Sequence, residues 1–208
     1  GFPPAIKLDG KLTPLAGGAL TAQQAAGYVR AVMNARQAAE FESSREANFA
    51  ISPDGLGRFR VSAFVQMGQA GMVLRTINTS IPRLDALGLP AVLQDVVMSK
   101  RGLVIMVGAT GCGKSTTLAA MVGHRNAHSH GHIITIEDPV EFIHPHGNCI
   151  VTQREVGVDT DDWGTALKNT LRQAPDVIQI GEIRDRDTMD HAIAFAETGH
   201  LCLATLHA

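Results

Sequence analysis

The sequence has few cysteines and almost no net charge, and each shortage argues against a class of protein. Its three cysteines, Cys112, Cys149 and Cys202, are an odd number without metal-ligand spacing, which favours free thiols in a reducing cytoplasm over a disulfide framework. The formal net charge of -2 provides no basic field for a nucleic-acid backbone or an anionic membrane surface. We therefore expect a cytoplasmic protein that does not bind nucleic acid.

Long apolar runs are also absent. The longest uncharged apolar stretch, residues 103–107, is far shorter than the roughly 20 residues of a bilayer-spanning helix, so we expect no membrane insertion. A content of 45% hydrophobic and 18% charged residues is ordinary for a globular protein. Because Gly1 is not an initiator methionine and the sequence stops after a predicted strand, we expect a piece of a longer chain.

The first part of the sequence predicts a small α+β unit. Alternation around Asp9-Gly10 indicates a hairpin. A single helix is predicted over residues 21–40, opened by a capping box of Thr21 and Gln24. Three strands follow, with Phe59, Val61 and Ala63 on one face of the second. They are expected at residues 48–52, 58–66 and 72–77.

From residue 103 onward, apolar strands alternate with helices, which predicts an α/β domain with a mostly parallel sheet covered on both faces. The strands are expected at residues 103–107, 133–136, 177–180 and 201–204, and the helices at 114–124, 163–173 and 186–197. A short helix is predicted over residues 91–99. Pro82 and Pro90 interrupt the pattern, so we assign residues 1–80 to an N-terminal domain, 81–90 to a linker and 91–208 to the second domain.

The stretch GATGCGKS, residues 108–115, matches the phosphate-binding pattern G-x-x-x-x-G-K-[ST] and lies between a predicted strand and a predicted helix. Glycines let successive backbone N–H groups face phosphates at the helix start. Lys114 is expected to reach the β- and γ-phosphates of ATP and Ser115 to bind Mg²⁺. The predicted nucleotide-binding residues are Gly108, Ala109, Thr110, Gly111, Cys112, Gly113, Lys114, Ser115 and Thr116.

Two predicted strands end in acids. The stretch IITIEDPVE ends in Glu137, Asp138 and Glu141, and DVIQIGE ends in Glu182. Open α/β sheets build their sites at the carboxyl ends of strands, so carboxylates at two such ends beside a phosphate loop suggest hydrolysis as well as binding.

The combination of GATGCGKSTTLAAM, IITIEDPVEFIH, ALKNTLRQAPDVIQIGEIRDRDTM and AFAETGHLCLATLHA closely resembles the secretion-superfamily ATPases that power type IV pili. Within them it is most similar to the pilus-retraction, or twitching-motility, group of the PilT/PilU family, on the PilU-like side. FAISPDGLGRFRVSAF and GMVLRTI resemble that group's PAS-like N-terminal domain. The resemblance implies a PAS-like α+β domain followed by a RecA-like P-loop domain that is truncated at its C-terminus.

The resemblance also implies roles for individual residues. Glu141 matches the family's catalytic glutamate, which polarises the attacking water. Glu182 matches the acid of an atypical Walker B motif, in which Gly181 replaces the usual aspartate, and would hold Mg²⁺ through water; with Lys114 these two acids form the expected catalytic set. His200 and His207 match the ends of the family's histidine box.

The family works as rings, so we expect a homohexamer whose N-terminal domains complete neighbouring sites. Arg58, Arg60 and Arg75 are candidate trans cations for the γ-phosphate, although a solvated strand face explains them equally well. Further expected partners are a paralogous retraction ATPase and the inner-membrane pilus platform protein, which implies the inner face of the bacterial inner membrane. Gln179 departs from the family, because an aliphatic residue is usual in that strand.

Three functions fit these patterns: a motor ATPase for pilus retraction, a nucleotide-binding ring subunit of feeble turnover that assists a partner motor, and a P-loop kinase. The kinase predicts a lid and an acceptor pocket, and the sequence indicates neither.

Overall fold

The computed structural model describes residues 3–77 and 80–207. The chain divides into two compact units, residues 1–76 and residues 77–208. Within the described residues, no helix has both the length and the apolar content that crossing a lipid bilayer requires.

The first unit is α+β. The hairpin around Asp9-Gly10 is confirmed, with antiparallel strands β1 (Ala5–Leu8) and β2 (Lys11–Pro14). Helices α1 (Ala22–Ala31) and α2 (Ala35–Ser44) follow. A sheet of order β3-β4-β5 completes the unit, with antiparallel pairing of β3 to β4. Its strands are β3 (Glu46–Ile51), β4 (Arg58–Gln66) and β5 (Gln69–Ile77).

The prediction of one helix over residues 21–40 is wrong, although its capping box of Thr21 and Gln24 is present. Asn34 interrupts the helix: its side chain accepts a hydrogen bond from the backbone N–H of Gln37, and the Gln37 side chain accepts one from the N–H of Asn34. This second capping box satisfies N–H groups that a helix start leaves free, so a new helix begins there.

The core of the first unit lies between α1 and the sheet. Val61 and Ala63 of β4 are buried, as their alternation predicted, and pack with Val29, Ala47 and Phe49. The neighbouring even-numbered positions of β4 are only partly buried, which is the pattern of a sheet with one face on a core.

The second unit contains a five-stranded sheet of order β6-β10-β9-β7-β8 in which every pair is parallel. The predicted α/β class is confirmed. In chain order the elements are a 3-10 helix (Leu84–Leu87), α3 (Val92–Val97), β6 (Gly102–Val107), α4 (Lys114–His128), β7 (Gly131–Glu137), β8 (Cys149–Glu155), α5 (Trp163–Thr170), a 3-10 helix (Leu171–Gln173), β9 (Val177–Ile183), α6 (Arg186–Glu197) and β10 (Leu201–Leu206).

Both faces of this sheet are buried. On one face, Leu118 and Met121 of α4 pack with Ile133 and Leu203; on the other, α5 and α6 form a second core that includes Phe195. Because all five strands are parallel, their carboxyl ends lie along one edge, where both the phosphate loop after β6 and the acids after β7 are found.

Strand β8 is the one element of this sheet that the sequence analysis did not predict. Within the described part of the chain, it pairs only with β7, as the outermost strand of the sheet. Thr152, Gln153 and Arg154 are partly exposed, so the strand lacks the continuous apolar run by which the inner strands were recognised.

Candidate active site

The phosphate loop joins β6 to α4, and glycine is required at two of its positions. Gly113 is the N-cap of α4 with a φ of 95°, a left-handed conformation that glycine adopts without a Cβ clash. At Gly108, a Cβ atom would lie only 2.7 Å from Cys112 Sγ. The loop can therefore fold close to itself only because these positions carry no side chain.

Lys114, the first residue of α4, is held against the loop. Its Nζ donates hydrogen bonds to Gly108 O at 2.7 Å and Ala109 O at 2.9 Å, and lies 3.5 Å from His207 Nδ1. These contacts fix the ammonium group at the mouth of the helix, where backbone N–H groups also point at an incoming anion.

A cavity of about 410 Å³ opens at this edge of the sheet. It brings together most of the residues that the sequence pattern and the family resemblance selected. The selected residues that line it are Thr110, Gly111, Gly113, Lys114, Ser115, Thr116, Glu141, Glu182 and His207. Three predicted nucleotide contacts do not line it: Gly108 and Ala109 bind Lys114 through their carbonyl oxygens, and the Cys112 sulfur lies against Gly108.

A row of charged groups links the ends of three strands. Arg184 donates to Asp138 Oδ2 at 3.0 Å and to Glu182 Oε2 at 3.1 Å. The other oxygen of Glu182 lies 3.5 Å from His207 Nε2, and His207 in turn reaches Lys114. Arg184 was not among the predicted site residues, since from the sequence a neighbouring aspartate such as Asp185 could equally be its partner, whereas Asp138 is 46 residues away in the chain.

Gly181 explains why the acid of this strand stands at position 182. A Cβ atom at Gly181 would lie 3.1 Å from Glu137 Cα and 3.2 Å from Ile136 O, both backbone atoms of β7. An aspartate at position 181 would require the β7 backbone to shift, whereas the Glu182 carboxylate lines the cavity without such a contact.

The inner end of the cavity contains a buried acid, Glu137, which is 7% exposed. Its Oε1 accepts hydrogen bonds from Thr135 Oγ1 at 2.6 Å and Gln153 Nε2 at 3.1 Å. Burial raises the pKa of Glu137, and the two hydrogen bonds oppose that rise only in part. Desolvation therefore favours the neutral acid.

Two oxygen donors in the cavity suit Mg²⁺, namely the Ser115 hydroxyl and the Glu182 carboxylate. In the described ranges, no three His, Cys, Asp or Glu side chains are grouped so that they could hold a metal ion by themselves. This donor set fits Mg²⁺, which proteins usually bind through one or two carboxylates together with substrate phosphates.

Several predicted site residues lie elsewhere. His200 stands at the opposite end of β10 from His207, where its Nδ1 lies 3.1 Å from Thr198 Oγ1, and it does not line the cavity. Arg58 and Arg60 are on β4 and Arg75 is on β5, all in the first unit.

Comparison with known proteins agrees with this geometry. A family model described as "Type II/IV secretion system protein" matches residues 19–208. The "Type IV pilus ATPase PilU" of Pseudomonas aeruginosa is 62% identical over the whole chain and 54% of the relative. The "Type IV pilus retractation ATPase PilT" of the same organism is 44% identical over 207 residues, 60% of its length. The chain thus spans little more than half of these curated relatives.

Among solved structures, the crystal structure of the pilus retraction motor PilT with bound ADP matches the whole chain and 61% of its own length, at 41% identity and a TM-score of 0.96. The Legionella pneumophila ATPase DotB matches at 27% identity and a TM-score of 0.84, over 60% of its chain. The resemblance inferred from the sequence is confirmed, and the chain belongs to the family of type II/IV secretion system proteins.

Proposed function

We propose that the protein is an ATP-hydrolysing subunit of a motor that powers type IV pilus retraction. The observation that carries the proposal is the cavity at the carboxyl edge of the sheet, which combines Lys114 and Ser115 of the phosphate loop with Glu141 and Glu182. The match to a PilT structure solved with ADP supports adenine nucleotide as the ligand.

The residues of this chain would divide the work as follows. Backbone N–H groups of the loop and the Lys114 ammonium bind the β- and γ-phosphates. The Glu141 carboxylate accepts a proton from the attacking water, whose oxygen forms the new bond to the γ-phosphorus while the bond to the leaving oxygen of ADP breaks.

Ser115 and Glu182 would hold Mg²⁺, which would neutralise negative charge on the phosphates. Arg184 orients Glu182 through the 3.1 Å contact and ties it to Asp138. His207 lies between Glu182 and Lys114, and in this position it links the metal-binding carboxylate to the phosphate-binding cation.

The assembly is proposed from the family. The working form would be a homohexamer at the inner face of the bacterial inner membrane, in contact with the pilus platform protein and associated with a paralogous retraction ATPase. Arg58, Arg60 and Arg75 would supply cations to the site of a neighbouring subunit. The two units of the chain would serve as the PAS-like domain and the RecA-like ATPase domain.

Steady-state ATP hydrolysis by the full-length protein tests the proposal. We expect Glu141→Gln to lose at least about 100-fold in kcat while it still binds Mg-ATP in calorimetry, because the general base is removed and the phosphate loop is kept. Lys114→Ala should lose binding as well. The exposed Lys168→Ala and Glu197→Gln are matched controls and should behave as the wild type. Turnover that survives in Glu141→Gln would refute the assignment.

A second candidate is a nucleotide-binding ring subunit with weak turnover of its own that assists a partner motor. The higher identity to the relative named PilU, 62% against 44% for PilT, is the observation in its favour. In that case the assembled wild type would bind Mg-ATP but hydrolyse it feebly, and the addition of the paralogous motor would restore retraction.

A further inference from the structure

Two buried polar atoms at the inner end of the cavity have no hydrogen-bond partner within the described chain. They are Gln179 Oε1 and His144 Nδ1. Both residues are 7% exposed, and both line the same cavity as Lys114 and Glu141. A buried polar group without a hydrogen-bond partner costs about 1 to 3 kcal/mol, so two such groups in the lining of one cavity call for a ligand that satisfies them.

The fold fixes Gln179 in this position. It lies on β9, in register with Thr135 of β7 and Leu203 of β10, and two residues after Val177. It therefore shares the sheet face that packs against α4, and its side chain lines the cavity together with Leu118 of that helix. The amide is thus directed at the nucleotide site from the sheet side.

His144 is held by its own set of contacts. Its backbone N–H donates to Gln153 Oε1 at 2.7 Å, and the Gln153 amide donates to Phe142 O at 2.8 Å. Beyond it, Asn126 Nδ2 donates to Pro145 O at 2.8 Å. The segment that carries the ring is therefore pinned to β8 and α4.

The chemistry of the two atoms specifies the ligand. Burial lowers the pKa of His144 to about 4, so the ring is neutral at pH 7 and one of its nitrogens is an acceptor. The Gln179 amide oxygen is an acceptor in any state. The Gln179 oxygen repels a phosphate oxygen and a carboxylate alike. Nδ1 of the neutral His144 ring accepts or donates according to its tautomer. A water molecule matches both atoms, because it can donate to Gln179 Oε1 and can either donate to Nδ1 or accept from it.

We propose that Gln179 and His144 bind an ordered water molecule at the inner end of the nucleotide cavity, and that Gln179 is a positioning residue that holds this water for attack on the γ-phosphate. The second half of this inference rests on the proposed hydrolytic function. Glu141 would take the proton, as above, and Gln179 would act only through its hydrogen bond to the water.

The test uses the full-length protein with Gln179→Met, which keeps the length of the side chain and removes the acceptor, and with His144→Leu. The exposed Gln173→Met is the matched control. For Gln179→Met we expect kcat to fall about tenfold, which corresponds to about 1.4 kcal/mol, with KM and the calorimetric affinity for Mg-ADP unchanged. A high-resolution crystal structure of the wild type should show water density within hydrogen-bonding distance of Gln179 Oε1, and the variant should lose it.

If Gln179 had a purely structural role, its substitution would change the stability of the protein and leave kcat unchanged. If Gln179→Met keeps the wild-type kcat and raises Tm, the amide is only an unsatisfied group in the core and the inference is wrong. If the wild type itself does not hydrolyse ATP, the proposed function fails, and crystallography alone then decides the water site: absence of density between Gln179 and His144 overturns it, and its presence upholds the binding half.

Discussion

Acid should destabilise the second unit through His144, and the structure sets the size of the effect. Burial lowers the pKa of His144 from its ordinary value of 6.5 to about 4, while the unfolded chain keeps the ordinary value. Stability from the neutral ring is therefore present above about pH 6.5 and is lost as the pH falls through about 4. The free energy of unfolding should fall by about 3 kcal/mol in all, and by about 2 kcal/mol when the pH has reached about 5.

The perturbation that isolates this contribution is His144→Leu, because other groups titrate equally in both proteins. Urea unfolding should be followed by the fluorescence of Trp163, the single tryptophan of the sequence, which lies in α5 of the second unit. The free energy of unfolding of the wild type should fall relative to that of the variant by about 2 kcal/mol between about pH 7 and about pH 5.

The exposed His130 provides the matched control, and His130→Leu should be unfolded in urea over the same pH range. Parallel pH profiles for the wild type and His144→Leu would refute the reasoning, because they would mean that the His144 ring takes up its proton as readily in the folded protein as in the unfolded one.

Three further substitutions test other parts of the structure. In urea titrations, Glu137→Gln should raise the free energy of unfolding near pH 7 and leave it unchanged near pH 4. Because the pKa of Glu137 is raised in the folded protein, the stability that its neutral form contributes is complete below the unfolded pKa of 4.5 and is lost as the pH rises through the folded pKa. Equal effects at both pH values would contradict this reasoning. Gly181→Ala should cost about 1 to 3 kcal/mol, measured by the same fluorescence, since the new Cβ meets β7 backbone atoms at 3.1 and 3.2 Å; a neutral effect would show that β7 gives way easily. Asn34→Ala should cost the first unit about 1 kcal/mol in thermal unfolding followed by circular dichroism, and an unchanged Tm would mean that its capping box adds nothing.

The sequence predicted the parts of the fold that local pattern dictates. The inner strands of the second unit are continuous apolar runs, and α6 has the predicted bounds, Arg186–Glu197. The phosphate loop was recognisable because four fixed residue types and both flanking elements agree. Edge strand β8 escaped prediction because half of its side chains contact water, and the break at Asn34 was hidden because apolar residues continue across it.

The site was predictable only where a motif names the residue. Lys114, Glu141, Glu182 and His207 were selected in this way, and all four line one cavity. Burial is not a local property of sequence, so nothing in the chain indicated that Glu137 is among the most enclosed groups of the site or that Gln153 links it to His144. The Gln179 amide, in an otherwise apolar strand, was the one local sequence signal of a polar group within the sheet.

The row of Lys114, His207, Glu182, Arg184 and Asp138 has a consequence for how a nucleotide reaches the protein. Its two cations and two anions alternate and cancel when the imidazole is neutral, so the row generates little potential beyond a Debye length of about 8 Å. The row therefore does not attract a distant nucleotide electrostatically. A triphosphate would arrive by ordinary diffusion. Selectivity for it would then come from short-range contacts, namely the hydrogen bonds that the loop N–H groups and the Lys114 ammonium donate to its oxygens.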